Sequence, residues 1–205
     1  MTNLFIAYVA AFLLPMLFHS WRVAVIGLGF QGILLGMICI ATHELSSSII
    51  LEAICLFAIR GTLVPWVLFQ RMRGHELPAN FSLINKSLWQ WILAVLLVVL
   101  AFMFGSRMSE GGTSEALQVG VAASAILVGL LVLANQTHPL GQIVGLLTFE
   151  GGLTLVELLS PHAMPLPVYA MVSLVFVAFL LTSGQYLTKL VAITEEDSLK
   201  NRITL

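Results

Sequence analysis

Charge is what this chain has least of. Only 9% of its 205 residues are Asp, Glu, Lys or Arg, where a soluble domain carries about a quarter, so it cannot cover a surface that faces water. The formal net charge of -1 and the sequence pI near 6.5 leave no basic footprint for nucleic acid. Cysteine is almost as scarce. Cys39 and Cys55 both fall within apolar runs without CxxC spacing, which supports neither a disulfide framework nor an Fe–S or zinc site; they read as small hydrophobes in helix interfaces. The start, Met1-Thr2-Asn3 and then an apolar run, lacks a positive n-region and a small-residue cleavage site. A retained first helix is expected there, not a cleaved signal peptide.

The usual catalytic and nucleotide-binding signatures are missing as well. GxxxxGK[ST], GxSxG, HExxH and GxGxxG have no usable match, and Gly27-Leu28-Gly29 sits inside an apolar run, where it serves packing. His19, His43, His75, His138 and His162 all fall in connections, no two at metal-ligand spacing on a helix. They read as solvated turn residues, with His138 alone placed where it can feed protons to the helix that follows. No catalytic site, redox cofactor or metal is expected of this chain itself.

What is there is hydrophobic: 59% of residues, with a mean hydropathy of +1.01. Long apolar runs predict an all-α integral membrane protein rather than a β-barrel. Seven transmembrane segments are expected, at about 4–18, 23–42, 49–69, 88–104, 116–134, 141–157 and 168–193. Pro15 predicts a kink or early stop in the first. Gly29, Gly32 and Gly36 share a face of the second that lets another helix come close. Ser46, Ser47 and Ser48 can cap the third, and the fourth, without an ionisable residue, suits lipid contact or a scaffold role. The hydrophilic run 70–86 is the longest connection, and it suggests an N-terminal three-helix half, 1–87, and a second half, 88–205, within one membrane domain. With the N-terminus outside, Arg22, Arg71, Arg73, Lys86, Lys189, Lys200 and Arg202 fall on the inner side and only Arg107 on the outer. That asymmetry supports an outer N-terminus and an inner C-terminus.

Against this background four ionisable residues stand out. A charge within a membrane span costs several kcal/mol unless paired, hydrated or neutralised, and is a functional-site hypothesis by default. In the sixth segment Glu150 lies roughly 14 Å from the inner end, near mid-membrane, and Glu157 about two turns higher, almost directly above it at 100° per residue. Gly141, Gly145 and Gly152 fall on the opposite face. In the third segment, which runs the other way, Glu52 is near the outer side and Arg60 roughly 15 Å from the inner end. Arg60 therefore shares a depth with Glu150, and Glu52 with Glu157. The depth match predicts Arg60 and Glu150 within water-bridging distance, in one subunit or across an interface, either as a functional pair or as a clip between helices. Glu150 can titrate; Arg60 keeps its proton, so it can tune a neighbour but cannot relay protons.

Three patches resemble a known family. Gln142-Ile143-Val144-Gly145-Leu146-Leu147-Thr148-Phe149-Glu150-Gly151-Gly152 is similar to the HyfE family of hydrogenase-4 membrane subunits, whose last three helices are related to the NuoK subunit of respiratory complex I. Ser20-Trp21-Arg22 and Ile59-Arg60-Gly61-Thr62-Leu63-Val64-Pro65 resemble it too. The resemblance implies a non-catalytic membrane-arm subunit of a group 4 hydrogenase of the formate hydrogenlyase type, in a bacterial or archaeal cytoplasmic membrane. Its neighbours would be antiporter-like and NuoH-like membrane-arm subunits, and the redox chemistry would belong to partner subunits that carry Fe–S and metal centres. Glu150 would stand for the glutamate of the family's Glu-Asn-Gly signature and, with Arg60, Glu157 and Glu52, serve proton or sodium translocation. Gly151 stands where asparagine is usual and Arg60 where a lysine is expected. Two other readings fit the same residues: a subunit of an Mrp-type cation/proton antiporter, and a scaffold whose carboxylates fasten it to its neighbours.

Overall fold

Backbone polar groups in lipid must be satisfied within the segment that carries them, and helix is the solution adopted. A computed structural model describes residues 1–18, 20–73, 83, 88–109 and 112–158, together with the isolated positions 175, 178 and 182. No strand occurs among the described residues. The helices are α1 (Thr2–Leu17), α2 (Trp21–Thr42), α3 (Ser47–Met72), α4 (Leu88–Met108), α5 (Thr113–Asn135) and α6 (Pro139–Leu158). The last five are each long and apolar enough to cross a membrane, as in a multi-pass membrane protein; α1, with 16 residues, is shorter. These six lie where the first six segments are expected, with ends shifted by a few residues. The seventh, 168–193, lies outside the described residues except for Val175, Ala178 and Thr182, which are helical. The connection expected to divide the chain falls largely on 74–82 and 84–87, also outside them.

Local chemistry accounts for the helix ends. Ser46 Oγ accepts a hydrogen bond from the Ile49 N–H at 3.4 Å, the N-cap anticipated from the serine run. Pro15 leaves α1 only two further residues before it stops at Leu17. In α3 the effect of proline is spread differently. Pro65 has no N–H, and its ring crowds the carbonyl four residues back, that of Gly61. The helix relieves this with wider turns over Leu56–Leu63, in which the Val64 N–H bonds the Ile59 carbonyl five residues earlier. Such π-type turns recur at functional sites, and Arg60 sits within this one.

Small residues set the packing order. A Cβ on Gly32 would run into the backbone at Arg60 and Gly61, while Gly29 and Gly36 face Pro65 and Phe57; α3 therefore seats against α2 at backbone distance. On α6 a Cβ at Gly145 or Gly152 would come within 2.8 Å of the backbone nitrogens of Leu133 and Ile126 of α5. The opposite side of α6 packs against α2. Tyr8, fully buried and edge-on to Phe12 at 6.0 Å between centroids, projects from α1 toward Gly151 of α6. Helix α4 buries Ala94, Ala101 and Gly105 and leaves Val95, Leu96, Val99 and Met103 exposed, an apolar face suited to lipid.

Candidate functional site

The packing of α1, α2, α3 and α6 brings polar side chains together at one place inside the bundle. Arg60 and Glu150 form a direct ion pair between Nη2 and Oε1. This is closer than the water-bridged arrangement anticipated from depth alone. Arg60 Nη2 also donates to Thr154 Oγ1 at 2.7 Å, and Thr154 Oγ1 donates in turn to the Glu150 carbonyl at 3.2 Å. One turn of α6 thus offers the guanidinium a carboxylate and a hydroxyl on one face. Arg60 and Glu150 side chains are 14% and 25% exposed, so the pair is largely withdrawn from solvent. An ion pair in such a place is held only if its remaining polar atoms are satisfied.

They are not all satisfied. Glu150 Oε2 and Tyr8 Oη are buried without a hydrogen-bond partner among the described residues. Between α2, α3 and α6 lies a small cavity of about 20 Å³ lined by Gln31, Gly32, Arg60, Glu150 and Gly151 with Leu28, Leu35, Val64 and Leu147. A water molecule needs roughly 10–15 Å³ measured this way, and two or more polar partners. The cavity supplies both.

Glu52 and Glu157, the other two anticipated residues, are half-buried. They lie within each other's electrostatic range, with His43 near Glu52, and Arg60 acts on Glu157 as well as on Glu150. All four ionisable residues therefore belong to one electrostatic neighbourhood. Tyr8, Gln31 and Thr154 were missed by sequence reasoning. Each carried a signal: Gln31 is the amide in the middle of an apolar span, Tyr8 is the polar-tipped residue at the middle of its helix, and Thr154 stands one turn after Glu150. Among the described residues no group of three or more His, Cys, Asp or Glu is placed to hold a metal ion.

His138 lies just before α6, and its Nδ1 accepts the Leu140 N–H at 3.2 Å. A ring nitrogen can accept only when unprotonated, and burial pulls the His138 pKa below the usual histidine value. The folded chain therefore releases this proton at lower pH than the unfolded chain does. The stabilisation is fully present above the unfolded value of about 6.5 and is lost as pH falls below it toward the folded value. Thermal stability of the detergent-purified protein is expected to decline as pH falls below about 6.5. In His138→Asn, which can still cap α6, that part of the pH dependence disappears.

Comparison of the chain with family models, with curated proteins and with solved structures gave no match.

Proposed function

We propose that the chain is a membrane-arm subunit of a complex I-like group 4 hydrogenase, without a catalytic site of its own. In this reading its N-terminus is outside, its C-terminus inside, and the segment after α6 completes a NuoK-like half. Glu150 takes up and releases protons on a path that continues through Glu157 and Glu52, and Arg60 holds one carboxylate oxygen in place. Antiporter-like and NuoH-like subunits are its neighbours. The family reading rests on the sequence resemblance. The proton-path role rests on one observation: only one oxygen of Glu150 is tied down, and the residue lines a cavity large enough for water. A carboxylate used solely as a clip gains most when both its oxygens are paired.

One observation also favours the scaffold reading, the direct tie between α3 and α6 through Arg60, Glu150 and Thr154. Glu150→Gln separates the two, because glutamine keeps the shape and a hydrogen bond but cannot exchange a proton. Purification of the tagged protein from membranes, with identification of co-purifying proteins, reads assembly. Proton movement in proteoliposomes reads coupling. The proposal expects hydrogenase partners, an intact complex with Glu150→Gln, and proton coupling down on the order of 100-fold. Antiporter subunits alone would support the Mrp-type reading, and a complex that no longer assembles would support the scaffold.

A further inference from the structure

The two ends of the bundle carry different chemistry. Among the described residues, the end at which α2 begins and α3 stops holds Arg22, Arg71 and Arg73 and no carboxylate. None of these arginines enters an ion pair among the described residues. Two of them flank an aromatic contact between the helices. Trp21 of α2 packs on Phe69 of α3 with ring centroids 5.5 Å apart. The guanidinium carbon of Arg22 stands 5.6 Å from the Trp21 centroid, and Arg73 follows Phe69 by four residues, about one turn.

Farther along both helices the surface is apolar. Gly29 turns toward Pro65 of α3, while Leu28, Gly32 and Val64 line the cavity on the side of α6. At 100° per residue, Ile26 and Phe30 fall on the flank of α2 away from α6. Trp66, Phe69 and Arg73 fall on the same flank of α3. Ile26, Phe30 and Trp66 are each more than half exposed among the described residues. A groove between α2 and α3 therefore opens outward, with an arginine on each rim at its end. Helix α2 has 22 residues, roughly 33 Å, close to the thickness of a bilayer's hydrocarbon core. Arg22, its second residue, thus stands at headgroup level.

We infer that this groove binds one anionic phospholipid, its phosphate held between Arg22 and Arg73 and an acyl chain laid along Ile26, Phe30 and Trp66. The guanidinium fork matches phosphate oxygens in pairs. Tryptophan favours headgroup depth, and basic pockets between membrane helices take acidic lipid headgroups. A lipid alone supplies both a chain for the apolar stripe and an anion for the charges at its end. Because one rim belongs to α2 and the other to α3, a bound phosphate ties together the two helices whose seating positions Arg60. The site stands on the membrane spans and this geometry, whichever complex the chain belongs to.

The test titrates the full-length protein in detergent micelles with phosphatidylglycerol or with phosphatidylcholine of the same chains. Bound lipid is counted by native mass spectrometry. The expected result is a plateau at one phosphatidylglycerol per chain, retained in preference to phosphatidylcholine. Arg22→Gln/Arg73→Gln should weaken that retention about 30-fold, the attraction lost with two arginines. Arg22→Lys/Arg73→Lys keeps the charge and should fall between, and Arg107→Gln, at the other end of the bundle, should bind as the wild type does. Inorganic phosphate, which has no chain, should not raise the melting point as phosphatidylglycerol does. Equal retention of the two lipids, no plateau at one, or unchanged binding in the glutamine pair overturns the inference. So does stabilisation by inorganic phosphate alone, or a photo-crosslinker at Phe30 that captures a protein instead of lipid in native membranes.

Discussion

Arg60→Met is expected to destabilise the helical bundle by about 3 kcal/mol or more. Methionine keeps the length and much of the apolar stem of arginine. The loss is therefore electrostatic: Glu150 Oε1 loses its counter-charge and Thr154 Oγ1 loses its donor. A carboxylate left alone in a largely dehydrated interior is the costly outcome, more so than removing both charges. The double variant Arg60→Met/Glu150→Gln should accordingly recover most of the loss. Arg60→Lys should fall between, since it keeps the charge but has a shorter reach and a more strongly hydrated ammonium, which costs more to bury than a guanidinium. Melting in detergent, followed by size-exclusion chromatography, reads all three; the single variant should melt roughly 6–12 °C below the wild type. If the double variant melts no higher than Arg60→Met, the ion pair is not the source of the loss.

The same pair shows how far the sequence could be read. Hydropathy located the six described helices because lipid leaves an apolar run of that length no other structure. A constant rise per residue was enough to place Arg60 and Glu150 at one depth, since depth depends only on distance from a helix end. Direction is a different matter. In α6, a regular helix, 100° per residue separated the Gly145–Gly152 face from the Glu150 face, and the structure keeps that division. In α3 the wider turns over Leu56–Leu63 change the angular phase around Arg60, so the same arithmetic could not aim its side chain. Pro65 signalled a disturbance there but not its form. Tyr8 and Gln31 were illegible as site residues for another reason. Periodicity assigns a residue to a face of its own helix, and nothing local says that α1 and α2 present those faces to Gly151. That pairing follows from which glycines admit which neighbours, a property of the whole bundle.

Gly32 makes the link between packing and site testable. A Cβ there falls on the backbone at Arg60 and Gly61, closer than real side chains ever approach, so α3 has to move away from α2. Gly36, one turn along the same face, is a matched comparison: its Cβ would meet the ring of Phe57 at 2.9 Å, the outer end of a side chain able to turn. Gly32→Ala is therefore expected to cost about 3 kcal/mol, the upper end for overpacking, and Gly36→Ala about 1 kcal/mol or less. Because Arg60 rides on the displaced backbone, Gly32→Ala should also weaken its grip on Glu150, although neither charged residue is altered. Spin labels on α2 and α3, measured by pulsed electron resonance, should show the helices farther apart in Gly32→Ala and unchanged in Gly36→Ala. Equal melting points and equal distances for the two variants would mean that α3 yields locally at either contact. The close seating of α3 on α2 would then not be what holds Arg60 against Glu150.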